Sequence, residues 1–209
     1  MTSTPAPLKD RVYRSSAGIA GGIVLLALCA WLGIDAVVQG EGRTPWLALA
    51  GLLLAVPVVV AFTLRPAVFA SEDRLRIRNP FRVITLPWAA VATFRSGYSN
   101  EVLDQDGTKY QLWSIPVSLR ARKKAQRNLS RAAAMDDPGR GSLLSGGKGA
   151  KERPTRAASD QAMDDLRELQ EARAGEPEAQ GVATARWAWE ILAPAAAGAV
   201  LLAVLSAIG

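Results

Sequence analysis

The chain has 209 residues, no histidine and one cysteine, Cys29. Without histidine, the commonest general base and the commonest metal ligand are both missing. A Ser-His-Asp triad, a Cys-His dyad and a histidine zinc site are therefore excluded. A single cysteine rules out an internal disulfide and a cysteine metal cluster. The carboxylate pairs Asp104/Asp106 and Asp164/Asp165 have no partner set for acid–base work or metal binding. Asp104/Asp106 flanks a hairpin turn, and Asp164/Asp165 sits on a polar helix. No catalytic residue and no cofactor is expected, and nothing in the sequence argues for an enzyme.

Charge is scarce in three long stretches and abundant elsewhere. Ala17 to Val38 carries no charge except Asp35. As a helix it is about 33 Å long, enough to cross a bilayer core. Basic residues precede it, which is also how a cleaved signal peptide begins. The run is longer than a signal core and a second apolar block follows at once, so it reads as a retained span. Trp46 to Leu64 is that second block, about 28 Å as a helix. Trp46 stands where an interfacial anchor belongs, and Pro57 is expected to kink the helix. The short connector Gln39–Pro45 makes the two spans an antiparallel hairpin over 17–64. Trp187 to Gly209 forms a third, Ala-rich span, with Trp187 and Trp189 at its start and Pro194 in its first turn. Alanine adds little to insertion, so this span relies on packing, for which Ala195, Gly198 and Ala199 are suited. Gly18 and Gly22 offer a similar small-residue surface on the first span.

The best-patterned stretch outside the spans is Ala67 to Phe94. Ser71-Glu72-Asp73 reads as a turn. Arg74 to Arg78 alternates basic and apolar residues as a half-buried strand does, and Asn79-Pro80 ends it. A second strand places Ile84, Leu86 and Trp88 on one face, with Pro87 at a strand end or edge. The spacing then changes from two to three at Trp88, Val91 and Phe94, which fits a strand end, a tight helical turn and a new strand. Val102 to Trp113 reads as a hairpin turning at Asp106-Gly107. Five or six short strands result, a small antiparallel sheet or partial barrel.

Ser114-Ile115-Pro116 is expected to open a helix running to about Met135. Arg120, Lys123, Lys124, Arg127 and Arg131 share one face of it by spacing. The domain so defined spans 65–135. Residues 136–186 read as a flexible linker with a short acidic helix over 159–174. A basic block at 120–156 and an acidic block at 157–190 either fold back on each other or, the reading preferred, are solvated tracts of a tether. Within the linker, Gly139 to Lys148 has the composition of a phosphate loop but not its register, since Lys148 is followed by Gly149.

The net charge is +6 and the pI about 9.9. Such a balance calls for an anionic neighbour. With three spans in the chain that neighbour is anionic lipid, and nucleic acid is not expected. Lys9, Arg11 and Arg14 precede the first span and Arg65 follows the second, while the loop between them holds one base, Arg43. The positive-inside rule then puts the N-terminus (1–16) and the whole segment 65–190 in the cytoplasm of a multi-pass cell-membrane protein. Arg74, Arg76 and Arg78 alternate on one strand face and, with Arg82, form a basic ridge. The ridge and the helix stripe Arg120, Lys123, Lys124, Arg127 and Arg131 are the candidate contacts to an anionic surface. The plain alternative is the solvent face of a half-buried sheet.

The run Glu72-Asp73-Arg74-Leu75-Arg76-Ile77-Arg78-Asn79-Pro80-Phe81-Arg82, with Leu86-Pro87-Trp88-Ala89-Ala90-Val91 and the Arg65-Pro66 junction, resembles the small bacterial pleckstrin-homology (PH) domains of actinobacterial membrane proteins. The resemblance covers residues 12 to 115. It implies a PH-like bent antiparallel sheet with no catalytic residues, and Arg74, Arg76 and Arg78 are similar to the basic clusters of phosphoinositide-binding PH domains. The expected fold is an α+β membrane protein with a two-helix transmembrane hairpin, a small antiparallel PH-like β domain with a C-terminal helix, and a third transmembrane helix. The expected function is presentation of that domain at the cytoplasmic face to anionic lipid, to a membrane-protein partner or to a second copy of the chain. The alternative is a structural subunit whose spans make the contacts while the domain is a spacer.

Overall fold

A computed structural model describes residues 10–117, 127 and 158–208. Among the described residues, three helices are long and apolar enough to cross a membrane. Ser15 caps the first, α1 (Ser16–Val38), its hydroxyl accepting from the Gly18 N–H at 3.1 Å. That bond satisfies one of the amides a helix start leaves unpaired. The second, α2 (Thr44–Thr63), begins with a proline in its first turn, where no amide is needed, and continues through Pro57. The loop between them is short, so the two run antiparallel.

The other described residues include eight strands and, before the last span, the helix Ala158–Arg173. They are β1 (Arg11–Tyr13), β2 (Ala67–Ala70), β3 (Arg74–Arg78), β4 (Arg82–Pro87), β5 (Val91–Ser96), β6 (Asn100–Asp104), β7 (Lys109–Gln111), α3 (Ala158–Arg173), β8 (Thr184–Trp187) and α4 (Trp189–Ala207). Strands β1-β2-β3-β4-β8 form one antiparallel sheet and β5-β6-β7 a second. The change of spacing at Trp88 is a 3-10 turn, Trp88–Ala90, that carries the chain from the first sheet to the second. Trp88 and Val91 are wholly buried and Phe94 nearly so. The Trp88 indole donates to the Ser71 carbonyl at 3.0 Å, so its one polar atom is satisfied. Gly107 takes φ +80° in the β6–β7 turn, which a side chain would resist.

The core lies between the two sheets and α3. Leu75, Ile77, Ile84 and Leu86 from the first sheet meet Val91, Phe94 and Val102 from the second. Ala162, Met163 and Leu166 of α3 close the third side. The acidic tract is therefore not a solvated tether. From 158 onward it is part of the domain, because α3 brings a narrow apolar stripe that the sheets need covered, and Met163 and Leu166 are fully buried there. Strand β8 likewise belongs to the sheet, pairing Arg82↔Trp187 through Thr85↔Thr184. Trp187 is thus a strand residue, and the third span begins at Trp189. The N-terminal segment also departs from expectation, since β1 pairs with β2. Ser114 does not open a helix. Residues 113–117 are turn and coil, and Ser114 is buried. The helix expected beyond it and the Gly139–Lys148 run lie outside the described residues, apart from helical Arg127.

All three spans meet the domain at the same end of the bundle: the start of α1, the finish of α2 and the start of α4. Helix α2 packs against both others. Gly198 of α4 sits on the Leu53–Leu54 backbone, where a methyl group would overlap main-chain atoms. Only a glycine allows that approach. It falls one turn before Pro57, at the carbonyl that Pro57 leaves without its helical donor. The remaining faces of the spans are apolar and exposed, among them Ile23, Leu28, Leu32, Leu201 and Val204. A bilayer is the solvent that covers them.

Candidate functional site

In a strand successive side chains point to opposite faces. With Leu75 and Ile77 in the core, Arg74, Arg76 and Arg78 project from the outer face of the five-stranded sheet. The register extends that face sideways. Arg76 stands between Phe69 and Thr85, and Arg78 between Ala67 and Val83. Val83 pairs in turn with Arg186. The Arg76 and Arg78 guanidinium carbons lie 4.7 and 4.9 Å from the centre of the Phe69 ring. Both side chains are half-buried, with the cationic ends held against the ring. Arg74 donates from Nε to Asp73 at 2.6 Å, so its charge is partly matched.

Arg82 is not part of this ridge. The β3–β4 hairpin pairs Arg78 with Val83, so even-numbered β3 residues share a face with odd-numbered β4 residues. Arg82 therefore falls on the opposite face, where its guanidinium stacks on Trp187 at 4.1 Å. Arg120, Lys123, Lys124 and Arg131 lie outside the described residues. Arg127 is helical and exposed.

Three arginines not assigned to the ridge from the sequence join it in space. Arg186 arrives on β8, Arg14 leaves β1 toward α1, and Arg65 leaves α2 toward β2. Arg65 donates to the Asn79 carbonyl and pairs with Glu190 at 2.8 Å. Arg14 and Arg65 could have been found from their places flanking the spans. Arg186 had no signal, since one base in the tetrapeptide Thr-Ala-Arg-Trp shows no period. Partial burial, then the neighbouring Arg76, Arg65, Arg14 and Arg186, hold the Arg78 guanidinium below its ordinary value. A groove of about 390 Å³ crosses the same face, lined by Asp10, Phe69, Ser71, Arg74, Arg76 and Arg186 among others. Arginine forks of this kind suit phosphate and carboxylate oxygens.

The acidic pairs have other work. Asp104 accepts from the Thr108 N–H at 2.8 Å and the Tyr110 hydroxyl at 3.1 Å, fixing the β6–β7 turn. Asp164 pairs with Arg167 at 2.8 Å, and Asp165 accepts from Tyr13. Among the described residues no group of three Asp, Glu or Cys side chains is placed to hold a metal ion.

The family described as Bacterial PH domain has a model that matches residues 65–140. This chain carries a bacterial PH-like domain fused to membrane-spanning helices. No curated protein and no solved structure matches it. The matched residues include β2 to β7 and leave out β1, α3 and β8. The PH-like sheet is thus completed by segments on either side of the match, and Arg186 and Arg14 come from those segments.

Proposed function

We propose that this multi-pass membrane protein holds its PH-like domain against the cytoplasmic leaflet, where the outer sheet face contacts anionic lipid. The observation that carries the reading is positional. Each span joins the domain at the same end, and the basic face begins there, with Arg14, Arg65, Arg78 and Arg186. The loop at the other end holds one base, Arg43, and one acid, Glu41. That asymmetry supports a cytoplasmic domain. Each base near an anionic leaflet contributes at most about 1 kcal/mol. The tether keeps the face near lipid, so weak attraction is sufficient to populate the contact.

Two measurements test this. Tyr98 is fully exposed at a hairpin tip. In a Cys29→Ala background, Tyr98→Cys should react with a membrane-impermeant maleimide only after cells are opened. Labelling in intact cells would overturn the orientation. In nanodiscs containing the full chain, phenylglyoxal modification of Arg76 should be slower in phosphatidylglycerol than in phosphatidylcholine. Equal rates would remove the lipid contact and leave the domain as a spacer between spans.

A further inference from the structure

We propose that Arg14, Arg78 and Arg186, aligned across the membrane end of the five-stranded sheet, form a defined site for acidic phospholipid, in which a headgroup phosphate sits between two neighbouring arginines of the row. This rests on the reading that the outer face meets anionic lipid, and it narrows that reading from a charged surface to one site.

The alignment follows from the register. Ala67 pairs with Arg78, Arg78 with Val83, and Val83 with Arg186. Tyr13 pairs with Val68, so Arg14, the next residue, stands level with Ala67. Across the sheet the row therefore reads Arg14, Ala67, Arg78, Val83, Arg186. Long cationic side chains alternate with short ones, and Ala67 and Val83 are both buried. Neighbouring strands are about 4.8 Å apart, which sets successive arginines about 10 Å apart at their bases. Two such side chains can converge on one phosphate above the short residue between them. Bidentate geometry then favours phosphate over a diffuse counter-ion.

The row sits at headgroup height. Arg14 immediately precedes the α1 cap, and Arg186 lies three residues before α4. Exposed Trp187 and Trp189 flank it, as at a membrane–water interface. Among the described residues, no carboxylate lies within 4 Å of Arg14, Arg78 or Arg186. Arg65 and Arg76 add further positive charge beside the row. Glu190 is the acid that reaches it, and that carboxylate is held by Arg65. Asp10 lines the adjoining groove. A cluster so incompletely neutralised is completed by an anion.

The test is native mass spectrometry of the delipidated full chain in detergent, titrated with phosphatidylglycerol or phosphatidylcholine. The wild-type chain should retain phosphatidylglycerol preferentially. Arg14 and Arg186 are exposed, so Arg14→Gln combined with Arg186→Gln removes charge without opening the core. That pair should weaken phosphatidylglycerol retention on the order of tenfold. Arg95→Gln, exposed on β5 of the second sheet, should leave it unchanged. No preference in the wild type, or an equal loss from Arg95→Gln, would overturn the site. So would displacement of the lipid by soluble glycerol phosphate at matching concentration, which would reassign the site to a soluble anion. Sidedness does not enter in detergent. The orientation can therefore fail in the maleimide experiment while this site stands. In turn, slowed arginine modification in nanodiscs can persist while this site fails.

Discussion

The β2–β3–β4 meander and the two strands that flank it reach one sheet by opposite routes. The meander is local. Ser71–Asp73 and Asn79–Phe81 are its turns, and each strand pairs with its neighbour in the chain. Strand β1 is separated from β2 by two membrane helices. Strand β8 returns to β4 after the second sheet and α3. Closure entropy grows only slowly with loop length, so such distant pairings are tolerated once they cover a buried face. The consequence is mechanical. The flanking strands run almost directly into α1 and α4, so the PH-like sheet and the bundle share one geometry. A domain joined by a flexible tether would have no fixed face toward the membrane.

The largest way to break the comparison is to remove the flanks altogether. A fragment of residues 65–135 keeps the meander and the second sheet but lacks β1, α3 and β8. It should fail to unfold cooperatively, as read by circular dichroism. A sharp transition in that fragment would show the flanks to be accessory. A smaller perturbation compares single side chains. Leu75 on β3 and Leu166 on α3 are both wholly buried. Each Leu→Ala change should cost about 2–5 kcal/mol. If Leu166→Ala proved near neutral while Leu75→Ala did not, α3 would be a cover and not part of the core.

The smallest effect concerns the contact between β1 and α3. The Tyr13 hydroxyl donates to Asp165 at 3.4 Å. Tyr13→Phe should cost about 0.5–1 kcal/mol. Burial first, and then Asp165, raise the Tyr13 ionisation above its ordinary 10.0. A raised folded value means that this contribution is intact below pH 10 and is lost as pH rises through the folded value. Tyr13→Phe should flatten the alkaline end of the stability profile, and an unchanged slope there would exclude Tyr13 as its source.

Legibility followed range in the chain. Leu75 and Ile77 announce their face by alternation, and Trp88, Val91 and Phe94 announce a turn by a change of period. The Asp106-Gly107 turn needs only its own two residues. Helix α3 could be seen as a helix but not as core. Its stripe of Ala162, Met163, Leu166 and Leu169 is diluted by five acids, and nothing local says which surface it will cover. Arg82 lies off the ridge because alternation does not carry through a turn. The hairpin register resets the parity at Asn79–Phe81, and only the pairing of Arg78 with Val83 reveals it.

The candidate site divides in the same way. Arg74, Arg76 and Arg78 are one strand's alternating residues, so their common face is a property of the extended backbone. Arg14, Arg65 and Arg186 come from three separate segments, each adjacent to a different span. The sequence by itself determined three membrane-length apolar helices, the alternating core of the meander and the basic sign of its other face, because all of these depend on residues within a turn or two of each other. Only the tertiary structure decided that β1 and β8 complete the sheet, that α3 closes the core, and that arginines distant in the chain stand in one row. Those depend on strand register, which is set by cooperative burial of a shared core and not by any local pattern.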